Sequence, residues 1–133
     1  MRFLNTEHEN KLMELIQRDG THPTDKERIS LFYILSGNDD LYAKSRSIYD
    51  FNQHQIIPDC LNGRSVDLCS SSRALIRLGY NLYNSYQDSD TTPISILSDL
   101  DEDNYFLATE SLGVRFGHSH QVQSALDDDE VEL

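Results

Sequence analysis

Residues 24–36 read Thr24-Asp25-Lys26-Glu27-Arg28-Ile29-Ser30-Leu31-Phe32-Tyr33-Ile34-Leu35-Ser36. Thr24 and Glu27 have capping-box spacing, in which an N-cap hydroxyl and a carboxylate three residues on satisfy each other's helix-terminal amides. Ile29, Leu31, Phe32, Ile34 and Leu35 then cover much of the helix circumference, and Ser36-Gly37-Asn38 ends the run. A helix that is apolar on most sides belongs inside, so this one is the most buried member of the fold. Arg28 falls on the stripe of Leu31, Phe32 and Leu35. A buried, unpaired guanidinium costs several kcal/mol, so Arg28 calls for an internal carboxylate such as Asp19 or Asp50.

Outward from this segment the helical signal repeats. Thr6 and Glu9 form another capping box ahead of Leu12, Leu15 and Ile16, and Asp19-Gly20 closes a helix over about 7–19. Asn38 or Asp39 caps a third helix carrying Leu41, Tyr42 and Ile48 as far as about Tyr49. From Phe51 to Ser70 the periodicity fails. Ser70-Ser71-Ser72 opens the most regular helix, with Leu75, Ile76, Gly79, Leu82, Tyr83 and Tyr86 at i, i+3/i+4, i+7 spacing. Residues 87–92 form a polar loop. Pro93 suits the first helical position after Thr92 and starts a short helix with Ile96, Leu97 and Leu100. A last helix spans about 101–112, and Val114-Arg115-Phe116 is expected as a brief extended piece.

The expected fold is mainly α: a compact single-domain bundle of about five or six helices with a long irregular connection near 51–70. The helical domain covers 1–116, and 117–133 forms a disordered acidic tail.

The charge is lopsided. The 133 residues carry a formal net charge of −12, with Asp127, Asp128, Asp129, Glu130 and Glu132 in the last seven positions. Affinity for phosphate backbones comes largely from Lys and Arg displacing counterions, so direct nucleic-acid binding is disfavoured. The same charge disfavours anionic membranes. No apolar run approaches the ~20 residues of a membrane span, and the opening residues turn polar at once, so a cytoplasmic protein is expected. Cys60 and Cys69 form neither a Cys-x-x-Cys pair nor a zinc signature.

Chemistry-bearing constellations are few. Arg73, Arg77, Tyr80 and Asn84 are spaced i, i+4, i+7, i+11 and share a sector of about 60° on one helix. Two guanidinium forks, a phenol and an amide in a row can bind a carboxylate or phosphate. In a chain with twice as many acids as bases, both arginines can equally pair with the protein's own carboxylates. His8 lies on an apolar stripe. It reads as a core histidine bonded to backbone before it reads as a general base, and Asp19, three turns away, is too far to orient it. Asp39-Asp40 lacks the ligand spacing of a calcium loop and reads as capping. His118 and His120 alone do not make a metal site, and Ser70-Ser71-Ser72 lacks a nucleophile-elbow context. No phosphate-binding loop, dinucleotide-binding or zinc-protease signature occurs. No catalytic residue, metal or cofactor is assigned.

The stretches Phe3-Leu4-Asn5-x-Glu7-His8, Glu27-Arg28-x-Ser30-Leu31-Phe32-Tyr33-Ile34, Gly37-Asn38-x-x-Leu41-Tyr42, Ile48-Tyr49-Asp50-Phe51 and Asn81-Leu82-Tyr83-Asn84 resemble an uncharacterised family of small proteins. Its members come from Gram-positive bacteria and their prophages or mobile elements. The resemblance covers about 3–116 and implies a bacterial or mobile-element setting, with no activity and no catalytic residues to carry over.

Three functional readings follow, in this order. The first is a small acidic, non-enzymatic protein-binding module. In its sharper form it is a mobile-element inhibitor that mimics nucleic acid and occupies the basic cleft of a defence or replication protein. The C-terminal tail, the 87–92 loop and Asp99, Asp101, Glu102 and Asp103 are its acidic patches, and exposed tyrosines its anchors. The second is a structural homo-oligomer joined through tyrosine-rich segments. The third is an anion- or small-molecule-binding protein or enzyme centred on Arg73, Arg77 and Tyr80.

Overall fold

A computed structural model describes residues 1–63 and 65–118. Among them are eight helices and one small hairpin, in the order α1 (Thr6–Asp19), α2 (Lys26–Gly37), α3 (Asp39–Ala43), α4 (Ser45–Ile48), β1 (Tyr49–Asp50), β2 (Gln55–Ile56), α5 (Asp59–Asn62), α6 (Ser70–Asn84), α7 (Pro93–Leu97) and α8 (Glu102–Phe116). The protein is mainly helical, as the periodicity requires. It has more and shorter helices than the expected five or six. The acidic run from Asp127 onward and His120 lie outside the described residues.

α2 is the axis of the molecule. Every residue from Ile29 to Ser36 is buried, and α1, α6 and α8 all pack on it. Burial on all sides is what a helix without a polar face demands. Its two serines cause no conflict, because Ser30 donates to Glu27 O (3.0 Å) and Ser36 to Tyr33 O (3.1 Å). α6 comes close to α2 at Gly79, where a Cβ would stand 2.8 Å from Leu31 Cδ1. A side chain there would force the Leu31 side chain to repack.

Both N-terminal caps fall one residue away from the capping-box threonines, one before Thr6 and the other after Thr24. Asn5 Oδ1 accepts the His8 amide (2.8 Å), and Asp25 Oδ1 accepts the Arg28 amide (3.0 Å). Asn and Asp outrank Thr as N-caps, so each wins over the threonine beside it. At the other end of α1, Gly20 adopts φ +73° and closes the helix. Asn38 caps α3 as expected, accepting the Leu41 amide (3.0 Å), and its amide nitrogen donates to Asn104 Oδ1 on α8 (3.0 Å). Thr92 Oγ1 likewise caps α7, with Pro93 in its first turn.

Three expectations need correction. The single helix to Tyr49 is broken at Lys44 into α3 and α4. Residues 51–70 are not irregular throughout: β1 and β2 pair antiparallel, with Tyr49 opposite Ile56 and Asp50 opposite Gln55, and α5 follows. Val114-Arg115-Phe116 is not extended. Leu107, Ala108, Ser111 and Val114 keep one buried face going, so α8 runs on until Gly117, at φ +75°, terminates it.

Candidate functional site

The four α6 residues singled out by spacing have separate fates. Tyr80 is fully buried and donates to Ile48 O (2.6 Å) and Ile57 O (3.1 Å), tying α6 to the hairpin region. Burial, above all, pushes its phenol well up from the ordinary range. Arg73 donates to Leu61 O (2.7 Å) and Leu68 O (3.3 Å), clamping the segment after α5. Arg77 pairs with Asp88 Oδ2 (2.9 Å). Asn84 is exposed, and its side-chain oxygen accepts the Tyr86 amide (3.1 Å). The two arginines do line one cleft of about 430 Å³, shared with Asp90, Ile94, Ser95, Ser98 and Asp99. Tyr80 takes no part in it. A ligand there would meet guanidinium groups already engaged by the protein and two carboxylates, so the row is chiefly a brace for the chain around it.

Asp88 is the centre of that brace. Its carboxylate accepts from Arg77 Nε, Tyr86 OH (3.0 Å), Thr91 Oγ1 (2.8 Å) and the Asp90 amide (2.9 Å). Burial opposes its ionisation, but these donors, Arg77 foremost, outweigh burial and hold the carboxyl at about 2. The loop 85–92 is thereby pinned to α6.

A second polar cluster is one that sequence spacing does not reveal. Asp19, whose side chain is only 3% exposed, accepts from Thr21 Oγ1 (2.6 Å), Tyr49 OH (2.9 Å) and His54 Nδ1 (2.7 Å). Burial works against its charge, and the three donors reverse that and lower its pKa. Arg28 completes the cluster. It donates to Tyr49 OH (2.8 Å), Asp25 Oδ2 (2.8 Å) and His54 O (2.9 Å), and lies 3.9 Å from Asp19. The internal partner that Arg28 requires is therefore Asp25 together with Asp19. His54 has φ +57° at the hairpin tip. Its carbonyl is held by Arg28 and by Tyr83 OH (3.3 Å), so the cluster anchors the hairpin to the α1–α2 corner. His8, near the other end of α1, is the core histidine expected. Its Nδ1 accepts the Leu4 amide (3.2 Å) and its Nε2 donates to Tyr33 O (2.9 Å), which defines the neutral Nε2–H form.

The free surface chemistry collects around α7 and α8. Asp99, Asp101, Glu102 and Asp103 are all exposed, and none has an ion-pair partner among the described residues. Asp101 caps α8 by accepting the Asn104 amide (2.9 Å). Glu102 and Asp103 occupy its first turn, where the helix dipole favours negative charge. Local helix chemistry thus accounts for part of this cluster, and leaves its outward charge unneutralised.

Farther along α8 the surface turns apolar. Tyr105, Thr109, Leu112 and Phe116 follow i, i+4, i+7, i+11 and form one stripe. Tyr105, Leu112 and Phe116 are 50%, 42% and 58% exposed. The last three stripe residues form one wall of a groove of about 300 Å³, with Leu78 and Leu82 of α6 at its base and Pro93, Ile96 and Leu97 of α7 opposite. Six of the seven tyrosines are buried or half-buried with their hydroxyls bonded inside the protein. Tyr105 is the exposed one, so the aromatic anchors open to a partner are Tyr105 and Phe116.

The family of unknown function DUF6075 matches residues 1–128. The chain belongs to DUF6075. The match extends past the 3–116 of the resemblance into Asp127 and Asp128. No curated protein and no solved structure matches. What this DUF6075 chain can do must be argued from its own geometry.

Among the described residues of the DUF6075 chain, no group of three or more His, Cys, Asp or Glu is placed to hold a metal ion. No helix among them is long and apolar enough to cross a membrane. Its two thiols differ sharply. Cys60 is buried against Tyr80 OH (3.3 Å), and burial pushes its pKa up. Cys69 is exposed at the N-terminus of α6, with Sγ 3.3 Å from Ser71 Oγ and 3.4 Å from Ser72 Oγ. Hydrogen-bond contacts with Ser71, then Ser72, lower its pKa to about 7.

Proposed function

We propose that this protein is a small acidic protein-binding module that acts by surface recognition and performs no chemistry on its partner. One observation carries the reading: Asp99, Asp101, Glu102 and Asp103 form an exposed, unpaired acidic corner at the start of the helix that bears the exposed stripe Tyr105, Leu112 and Phe116. Unpaired like charges at one corner attract a basic partner over a distance and guide its approach. Exposed aromatic and aliphatic side chains beside them supply the contact energy once water is excluded. In its sharper form, the module covers a basic nucleic-acid-binding surface. The self-consumption of Arg73 and Arg77 supports this order, because it leaves the cleft they line with little to offer an anion.

Affinity capture from cells that encode the chain, run at low and at moderate salt, tests the proposal. The expected result is one basic protein retained at low salt and released as salt rises. It is lost when Asp99, Asp101 and Asp103 are changed to Asn and Glu102 to Gln. Recovery of the bait alone, with a solution mass of two chains, overturns the reading in favour of self-association. Tight capture of a small anion by the cleft, abolished by Arg77→Ala, overturns it in favour of ligand binding.

A further inference from the structure

The groove between α6, α7 and α8 has a shape, a length and a charge polarity that together describe what fits it. Its walls are Leu82, Ile96, Leu97, Leu112 and Phe116, with only threonines and Asn81 as polar groups. An extended peptide on such a floor leaves alternate backbone amides and carbonyls without partners, which is costly away from water. The strands among the described residues are only two residues long, so no long sheet edge is offered for strand addition. A helix satisfies its own backbone and presents side chains alone, which is the way apolar grooves are usually filled.

Length and charge narrow the occupant further. From Tyr105 to Phe116 the α8 stripe spans about 16 Å at 1.5 Å per residue, matching about three turns of a partner helix. The Tyr105 end lies beside Asp101 and Glu102. The Phe116 end is different: the Arg115 guanidinium stands 5.3 Å from the Phe116 ring, and Lys26 Nζ lies close to Gly117. One end of the α8 stripe therefore carries unpaired negative charge, whereas at the other end Arg115 is already paired with Glu27 (3.7 Å). A second copy of this chain is a poor occupant, because each copy carries −12 and like charges repel.

We infer that the groove binds an amphipathic helix of a partner protein, apolar along one face and basic at the end that meets the α7–α8 corner. This rests on the protein-binding reading and specifies how the binding is done. The partner helix runs along the α8 stripe, with its apolar face over Leu112 and Phe116 and its Lys or Arg residues over Asp101 and Glu102, which precede Tyr105 by four and three residues.

The test uses the full chain and a synthetic helical peptide of about 14 residues, roughly the partner length the stripe implies. The peptide has leucines on one face and lysines at one end, and binding is followed by fluorescence anisotropy. It should bind about tenfold or more tightly than a peptide of the same composition with the apolar face scrambled. Leu112→Lys with Phe116→Lys should weaken it by about tenfold, and neutralising the acidic corner should weaken it and flatten its salt dependence. Met13→Lys, at an exposed apolar position on α1, should change nothing. The inference is overturned if the peptide does not bind, if the scrambled or glutamate-ended peptide binds as well, or if the groove variant binds unchanged. Partner capture separates this failure from that of the wider reading. A partner lost by the corner variant and kept by the groove variant sinks the helix inference and leaves the module standing. A partner kept by both sinks the module.

Discussion

Asp88→Asn removes a charge from the point where the 85–92 loop is fastened to α6, and the loop's last residues, Thr91 and Thr92, lead into the groove wall. In the wild-type fold the carboxyl sits at about 2, against an ordinary 3.8. At 1.36 kcal/mol per pH unit this corresponds to roughly 2 kcal/mol in favour of the charged form when folded. The side chain is 24% exposed, so solvent screening reduces the figure to about 1–2 kcal/mol. Asn keeps one acceptor but loses the charge that Arg77 pairs with, and its amide cannot accept from Arg77 Nε, which can only donate. A loss of that size lowers the melting temperature by about 4–8 °C for a domain of this length. The pH dependence has a definite sign. A carboxyl depressed by folding adds stability above its unfolded value of 3.8, and that stability fades as pH falls toward 2. Urea unfolding at pH 6 should therefore separate wild type from Asp88→Asn by about 1–2 kcal/mol, and the gap should close between about pH 4 and pH 2. Asp99→Asn, at an exposed and unpaired position, should stay within about 0.5 kcal/mol of wild type throughout. Equal stability at pH 6, or a gap unchanged at pH 2.5, would refute the account of Asp88 as the loop's fastening.

Three further outcomes are expected. With its thiol near 7, Cys69 should be about half thiolate at neutral pH and react with iodoacetamide far faster than buried Cys60, its rate reaching half-maximum near pH 7. Ser71→Ala should shift that midpoint upward, and an unshifted midpoint would discard the hydroxyl as the cause. Gly37→Ala should destabilise by about 1–3 kcal/mol in chemical unfolding, because its Cβ would collide with Leu107 and the His8 ring; a neutral result would mean that α8 has room to move. Burial holds His8 neutral and lowers its pKa, so the unfolded chain takes up a proton first and stability falls as pH drops through about 6.5. His8→Gln should flatten that part of the pH–stability profile, and an identical slope in the variant would assign it to another group.

Much of this architecture is legible without coordinates. The unbroken apolar surface from Ile29 to Leu35 places α2 at the centre, and Asp19-Gly20 and Thr92-Pro93 mark a helix end and a helix start where the structure has them. These features are local, and local features are what periodicity and capping rules detect. The N-caps Asn5 and Asp25 were also accessible, since side-chain rank alone selects them over Thr6 and Thr24. Gly37 misleads in a more instructive way. It sits where a terminator is expected, yet its φ is not left-handed; its role is to admit Leu107 and His8, which only the packed fold reveals. Around Ile56-Ile57-Pro58 the sequence has room for a short strand or turn, but strands of two residues carry no period, so their pairing is not legible. Asp19 is expected beside Arg28 because a buried guanidinium needs a carboxylate, but His54 escapes, since it is 35 residues from Asp19 and nothing in either neighbourhood announces the other. For Arg73, Arg77, Tyr80 and Asn84 the spacing correctly puts them on one helix. The excess of acids also anticipates that Arg77 pairs with one of the protein's own carboxylates, but not that Arg73 and Tyr80 turn to backbone carbonyls instead.

The distribution of charge separates two tasks that a composition of −12 merges. Nearly every described cation is engaged within the protein: Arg2, Lys11, Arg18, Arg28, Lys44, Arg77 and Arg115 in ion pairs, and Arg73 on backbone carbonyls. Of the acids that remain uncompensated, Glu9 and Asp59 stand apart on other elements, and the corner acids are the ones gathered together. Exposed charges screened by salt add little to the depth of a bound state, and they raise the rate at which an oppositely charged partner arrives. The groove has the opposite character. Its apolar walls exert no long-range pull, but once filled they slow escape, which is where most affinity differences between related complexes lie. Neutralising Asp99, Asp101, Glu102 and Asp103 should then act on association and its salt dependence, and Leu112→Lys with Phe116→Lys on dissociation. A partner whose association and dissociation rates both respond to the same one of these variants would show that corner and groove are not two functional parts, and that a single patch of α8 does both.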